Sequence, residues 1–157
     1  MAKEIERKFL VSNSAWRASV EAEIGIRQFY LAAGPARTIR IRISDGSTAT
    51  LTLKFSGKGR GRDEFEYPVP LAEAEEMQAF ALGRVIEKTR HHVRYRGYLY
   101  EVDVFAGRLA GLVVAELETP DIVPAEQLPP WLGREVTQDG RYYNASLALG
   151  ELPEFAA

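Results

Sequence analysis

Charged and apolar side chains alternate along segment after segment of this chain, and the charges come in pairs of like sign. In the first segment, KEIERKFLV, strand geometry puts Glu4, Glu6 and Lys8 on one face and Ile5 and Phe9 on the other. The same period of two recurs in six later segments. The pattern predicts antiparallel strands with one apolar and one charged face, because successive side chains of a strand point to opposite sides.

The later segments repeat either paired carboxylates or paired cations. The cations are Arg40, Arg42, Lys54, Lys88 and Arg90, and the carboxylates are Glu64, Glu66, Glu101, Asp103, Glu116 and Glu118. Neighbouring carboxylates repel each other, and one of them tends to protonate unless a cation compensates. Paired like charges therefore predict bound ions, with a divalent metal at the carboxylates and a phosphate group at the cations.

A closed barrel with a charged interior and an apolar exterior covered by helices uses all of these faces. We therefore predict an α+β fold, mainly antiparallel β, in a single domain of residues 1–157. Helices are predicted from Ser12 in SNSAWRASVEAE and after Pro70 in PLAEAEEMQAFAL, with Trp16 and Met77 in the core. PPWLG is predicted to be a short helix or turn, and DGRYYNASLALGE a terminal helix.

Composition excludes several other classes of function. The net charge of −2 and the pI of about 5.8 argue against general binding of nucleic acid or acidic membranes. The chain has no cysteine, so disulfides and thiolate chemistry are excluded. No signal core or membrane-spanning run is visible, so a cytoplasmic protein is predicted.

Two further features do not indicate a site. SGKGRGR, residues 56–62, lacks the Lys-Ser/Thr ending of a phosphate-binding loop and is interpreted as a hairpin loop. His91 and His92 are adjacent, so on a strand they point to opposite faces and cannot bind one metal together.

Taken in order, the charged segments resemble the CYTH family, also called triphosphate tunnel metalloenzymes. EIERKF resembles the ExExK signature, RTIRIR the Arg-x-Arg strand, LTLKFSG the Lys strand, EFEYPVP the Glu-x-Glu strand and IEKTRHHV the Lys-x-Arg strand. EVDVFAGRLAGLVVAELE resembles the Asp strand and the second Glu-x-Glu strand, and VTQDGRYYNASLA the ending of small bacterial members. The resemblance covers essentially the whole chain and implies a closed eight-stranded tunnel that binds a triphosphate with one or two Mg²⁺ or Mn²⁺ ions.

The resemblance and the charge pattern together assign roles to individual residues. The expected metal ligands are Glu4, Glu6, Asp103, Glu116 and Glu118, and the expected triphosphate ligands are Lys8, Arg40, Arg42, Lys54, Lys88 and Arg90. The candidate catalytic residues are Tyr30, Lys88, Glu64 and Glu66. QFYL, residues 28–31, keeps the family's Gln-x-Tyr pattern, which places Tyr30 where a proton acceptor is often proposed.

Several roles stay open at this point. Tyr30 is a poor base unless neighbouring cations assist it. Glu64 and Glu66 could bind metal, orient water or balance the cations. The alternation of side chains also places four other residues on the charged faces, either in the tunnel or at its solvated rim: Arg62, Arg94, Arg96 and Glu101.

The expected function is metal-dependent hydrolysis of inorganic triphosphate to pyrophosphate and phosphate. Thiamine triphosphatase is an alternative, as is a class IV adenylyl cyclase, although no signal for a nucleoside pocket is visible. A non-catalytic polyphosphate-binding or nucleotide-binding module would keep the cations and lose the carboxylates, whereas this chain retains both. The expected partner is a triphosphate-containing small molecule, with no nucleic acid and no membrane, and a homodimer is left open.

Overall fold

The computed structural model describes residues 5–56 and 62–151. Its described strands are β1 (Ile5–Val11), β2 (Val20–Ala33), β3 (Arg37–Ser44), β4 (Thr48–Ser56), β5 (Arg62–Val69), β6 (Leu82–Tyr95), β7 (Tyr98–Phe105), β8 (Val113–Thr119) and β9 (Leu132–Glu135). The α-helices are α1 (Leu71–Met77) and α2 (Asn144–Leu149), with short 3₁₀ turns between other elements. Glu4 and residues 57–61 of the predicted hairpin loop lie outside the described residues.

The strands form one antiparallel sheet in the order β5-β4-β3-β2-β6-β7-β8-β1-β9. The prediction of a mainly antiparallel fold with few helices is therefore confirmed. The described residues form nine strands and not eight, because the short β9 adds to the edge of β1. Among these strands the two edges, β5 and β9, are not hydrogen-bonded to each other, so the closed eight-stranded barrel is not confirmed.

The outer face of the sheet is apolar, as the alternating pattern predicts. On β2, β3 and β4 this face contributes Phe29, Ile41, Ile43 and Ala49 to a buried cluster, against which α1 packs through Ala74. A second buried cluster on β6, β7 and β8 is covered by Trp16 and Trp131, together with other apolar residues. The predicted core position of Trp16 is therefore confirmed, and Met77 packs against the first cluster while partly buried.

The helix predicted from Ser12 is wrong over most of its length. Only Ala15–Ser19 form a 3₁₀ turn, and β2 begins at Val20. Val20 and the residues after it pair with β6, where Val20 lies opposite Val93. Pairing with a long neighbouring strand outweighs the modest helix propensity of these residues, which is a weak determinant beside tertiary context.

The predicted C-terminal helix is confirmed only in part, because α2 spans Asn144–Leu149 and the residues Gly140–Tyr142 before it form a 3₁₀ turn. α2 contributes Leu147 and Ala148 to a buried cluster that also contains Tyr30 and Ile86. The short helix or turn predicted for PPWLG is confirmed as a turn at Pro130 and Trp131, whereas Leu132 already begins β9 and pairs with β1. Within the described parts of the chain, no helix is long and apolar enough to span a bilayer.

We predict that Gly83→Ala loosens the packing of α2. A Cβ at Gly83 would lie 2.3 Å from the backbone oxygen of Ala148, and the residue has φ +63°. Gly46→Ala is the matched control, because Gly46 has φ +64° and open space around its Cβ position. The control should lose about 1–2 kcal/mol of unfolding free energy from backbone strain alone. Gly83→Ala should lose clearly more in denaturant melts, and equal losses would contradict tight packing here.

Candidate functional site

Four charged side chains of the inward strand faces are almost completely removed from solvent. The exposed fractions are 6% for Lys8, 7% for Arg40, 3% for Lys88 and 1% for Asp103. Charged side chains are rarely buried to this degree unless they are paired or bind an ion. These strand faces therefore line an interior and are not a solvated outer surface.

The strand register gathers carboxylates on β1, β7 and β8. Glu6 lies opposite Glu118 across the β1–β8 pair, and Glu101 lies opposite Glu116 across the β7–β8 pair. Asp103 follows on β7, two residues beyond Glu101 on the same face. Opposed residues of antiparallel strands have their Cβ atoms about 5 Å apart. These three strands therefore form an acidic wall.

The cations lie on neighbouring strands and form a basic wall. Arg40 and Arg42 belong to β3, Lys54 to β4, and Lys88 and Arg90 to β6. Strand β6 lies directly beside β7 in the sheet, so the two walls meet between these two strands.

Asp103 joins the two walls. Its carboxylate lies 2.8 Å from Lys88 Nζ and accepts hydrogen bonds from Arg90 Nε and Nη2 at 2.9 and 3.0 Å. Burial alone would raise the pKa of Asp103, but the two cations hold this pKa well below its usual range. Burial also opposes the charge on Arg90, yet the bonds and charge of Asp103 raise the pKa of Arg90. Burial lowers the pKa of Lys88 to about 8, although the charge of Asp103 opposes this shift.

Arg40 and Arg42 are oriented by neutral groups. Arg42 Nε donates to Gln28 Oε1 at 3.0 Å, and Arg40 Nη2 donates to Thr52 Oγ1 at 3.3 Å. Burial, followed by the charges of Arg40 and Arg90, lowers the pKa of Arg42 to about 10. No described carboxylate pairs directly with Arg40 or Arg42, so these two arginines keep a charge that suits an anionic ligand.

The segment leading into α2 lies against the interior lysines. Lys8 Nζ donates to the backbone oxygen of Tyr142 at 3.1 Å and lies 5.6 Å from the centre of the Tyr143 ring. Lys88 Nζ donates to Asn144 Oδ1 at 3.3 Å. The C-terminal segment therefore forms one end of the charged interior and binds two of its cations.

A cavity of about 200 Å³ lies between these groups. Its lining consists of Glu6, Lys8, Tyr30, Arg40, Lys54, Thr137, Tyr143, Asn144 and Ala145. Residues of β1 and β4 share this lining although the two strands lie near opposite edges of the sheet, so the sheet curls around the cavity. A larger cavity of about 530 Å³ beside Gly83, Arg84 and Arg108 lies outside the two walls.

Most of the predicted site residues come together. The cavity and the Asp103 junction bring together Glu6, Lys8, Tyr30, Arg40, Arg42, Lys54, Lys88, Arg90, Asp103 and Glu116, since Glu116 lies 3.5 Å from Lys8 Nζ. Glu118 is exposed but lies opposite Glu6. Glu64 and Glu66 are exposed on the edge strand β5. Glu4 lies outside the described residues.

The structure places three of the four undecided residues. Glu101 faces the interior, where it lies 3.6 Å from Arg90 Nη1, whereas Arg94 is exposed and bonds to Glu21. Arg96 is also exposed. The side chain of Arg62 lies outside the described residues.

Sequence reasoning missed the neutral residues of the site. Gln28, Thr52 and Asn144 each contact an interior cation, but they carry no charge and do not stand out in a search for paired charges. The Gln-x-Tyr pattern points to Gln28, which lies two residues before Tyr30.

The acidic wall fits a hard divalent cation, which prefers oxygen ligands. Glu6 with Glu118 and Glu101 with Glu116 provide adjacent carboxylates, whereas Asp103 is already bound by two cations. Within the described residues, no three acidic or histidine side chains converge on one point. Mg²⁺ keeps several waters and often binds through one or two carboxylates plus substrate phosphates. The residues therefore fit a metal that binds together with an anionic ligand.

Comparisons with known proteins agree with this geometry. The chain is 38% identical over 155 residues to an inorganic triphosphatase of Acetivibrio thermocellus, covering 99% of both chains. It is 40% identical over 149 residues to an inorganic triphosphatase of Nitrosomonas europaea, covering 93% of this chain and 97% of that one. A solved crystal structure of an inorganic triphosphatase is similar with a TM-score of 0.73 and 34% identity, covering 98% of this chain and 99% of the other. The family described as the CYTH domain matches residues 2–148, and the chain therefore belongs to the CYTH domain family.

Proposed function

We propose that this protein hydrolyses inorganic triphosphate to pyrophosphate and phosphate in a metal-dependent reaction. The supporting observation is the pair Arg40 and Arg42, which lie on the inward face of β3 and are held by neutral partners beside an acidic wall. Such a site combines ligands for phosphate oxygens with ligands for a hard cation. The names of the full-length relatives support the same reaction. We further propose that residues 1–157 act as one unit.

The basic wall would bind the substrate. The six proposed triphosphate ligands are Lys8, Arg40, Arg42, Lys54, Lys88 and Arg90. Since a triphosphate carries charge along its whole length, cations spread over β1, β3, β4 and β6 can contact several phosphate groups at once. The same groups would stabilise the charge that develops in the transition state, because they are already oriented before the reaction begins.

The acidic wall would hold one or two Mg²⁺ or Mn²⁺ ions. The proposed ligands are Glu4, Glu6, Asp103, Glu116 and Glu118. A metal bound there would neutralise phosphate charge and lower the pKa of a bound water. Asp103 would also have a second role, because its carboxylate contacts Lys88 and Arg90 and orients both side chains.

The remaining assignments concern proton transfer and orientation. Tyr30 lines the cavity beside Arg40 and is the proposed proton acceptor. Lys88 would donate a hydrogen bond to the departing phosphate oxygen. Glu64 lies opposite Lys54, and Glu66 accepts a hydrogen bond from Thr52 at 3.4 Å, so both would balance or orient the basic wall.

We predict that activity requires added Mg²⁺ or Mn²⁺. Phosphate release from tripolyphosphate should stop in excess EDTA and return when either ion is restored, because hard cations suit a wall made of carboxylates. Undiminished turnover in excess chelator would contradict the metal mechanism.

We predict that inorganic triphosphate is the preferred substrate. Specificity constants should be compared for tripolyphosphate, thiamine triphosphate, ATP and pyrophosphate at one metal concentration. The cavity is lined by groups that bind phosphate, so an added base or thiamine gains little binding energy. A specificity constant for ATP equal to that for tripolyphosphate, or cyclic AMP as the main product, would favour an adenylyl cyclase. A specificity constant for thiamine triphosphate equal to that for tripolyphosphate would favour thiamine triphosphatase.

We predict that Glu116→Gln lowers kcat by about a hundredfold or more, as loss of a preorganised electrostatic group typically does. The metal concentration needed for half-maximal activity should also rise. Glu135→Gln is the control, since Glu135 bonds to Arg7 outside the cavity lining. The control should keep its activity while its Tm falls slightly. Normal kcat and normal metal dependence in Glu116→Gln would remove β8 from the site.

A further inference from the structure

Gln28 is a fully buried polar residue in the middle of the charged interior. Its exposed fraction is 0%, and on β2 it lies directly opposite Arg42 of β3. Its side-chain oxygen, Oε1, accepts a hydrogen bond from Arg42 Nε at 3.0 Å. A polar residue at this depth is normally fully hydrogen-bonded, so each of its atoms calls for a partner.

The orientation of the Gln28 amide follows from the chemistry of arginine. Arginine Nε carries a hydrogen and accepts none, so only the amide oxygen can face it. The amide nitrogen Nε2 therefore points elsewhere, and it is buried without a hydrogen-bond partner among the described residues. Arg40 Nε is in the same situation. Both of these atoms are donors, so a group rich in acceptors, such as phosphate, would satisfy them.

A glutamate at this position would bind Arg42 more strongly than glutamine does. Two other arginines of this protein are each paired with a carboxylate, Arg27 with Glu75 on the outer side and Arg90 with Asp103. A carboxylate beside Arg42 would cancel the charge that attracts phosphate and would repel the phosphate oxygens. A neutral amide orients the guanidinium and leaves its charge available.

We propose that Gln28 is a substrate-binding residue: its Oε1 orients Arg42 without neutralising it, and its Nε2 donates a hydrogen bond to a phosphate oxygen of the triphosphate. The proposal rests on the proposed function, because it assumes that a triphosphate occupies the interior. It assigns the glutamine a role in affinity that a purely structural side chain would not have.

The test is Gln28→Glu, measured by calorimetric binding of tripolyphosphate in EDTA and by KM in Mg²⁺. The new carboxylate should pair with Arg42, so the Tm without ligand should stay the same or rise. Binding in EDTA should weaken by about tenfold or more, the scale expected for losing one charge-assisted hydrogen bond. KM should rise as well. A folded Gln28→Glu that binds within about twofold of the parent would overturn the proposal.

Gln78→Glu is the matched control. Gln78 accepts a hydrogen bond from Arg27 on the outer side of the sheet, so this variant makes the same substitution opposite an arginine that lies away from the cavity. It should leave tripolyphosphate binding unchanged, and a loss equal to that of Gln28→Glu would mean that net charge alone is responsible and would overturn the proposal.

Gln28→Met provides a second, uncharged test. It keeps the side-chain length and removes both the acceptor for Arg42 and the donor to phosphate. Binding should again weaken, whereas a variant with lower Tm and unchanged affinity would show a structural role alone. If the unmodified protein does not bind tripolyphosphate, the proposed function fails. If it binds tripolyphosphate and the Gln28 variants bind it equally well, only this inference fails.

Discussion

The ion pairs of Asp103 with Lys88 and Arg90 are the interaction on which the interior depends. They place one buried carboxylate between the buried Lys88 and the partly buried Arg90 at the line where β6 meets β7. Breaking a buried pair by removing one partner typically costs about 3–5 kcal/mol, because the other charge is left without compensation. The three strands of the basic wall, β3, β4 and β6, and the three strands of the acidic wall can therefore belong to one curled sheet.

The interior contains two kinds of cation, and the difference is what makes the site suitable for a ligand. Lys88 and Arg90 have their carboxylate within the protein, whereas the partners of Arg40 and Arg42 among the described residues are a hydroxyl and an amide. Burial and neighbouring cations lower the pKa of Arg42 to about 10, so an anion that enters the cavity relieves an existing electrostatic cost. The protein is thus prepared for a phosphate chain before one binds.

The alternation of apolar and charged residues predicted the long strands well, whereas the helices, turns and short strand between them were predicted poorly. Inward Arg40 and outward Ile41 follow directly from alternation, and Trp16 is buried as the burial statistics of tryptophan predict. Val20 was assigned to a helix because its sequence neighbourhood permits one, yet it pairs with β6. The sequence does not predict β9, because four residues are too few to show a clear alternation of apolar and polar side chains. Leu132–Glu135 form a strand because they pair with the edge of β1.

The sequence by itself determined which faces are charged, and it determined that like charges occur in pairs, because a period of two is a property of consecutive residues. That was enough to predict phosphate and metal chemistry and to name most of the charged residues that the fold brings together. The tertiary structure decided which charges meet. Gln28 reaches Arg42, and Asn144 reaches Lys88, across gaps of 14 and 56 residues that only strand register and the docking of α2 can close. Neutral residues acquire their role in the site from such neighbours, and no pattern of charge along the chain marks them beforehand.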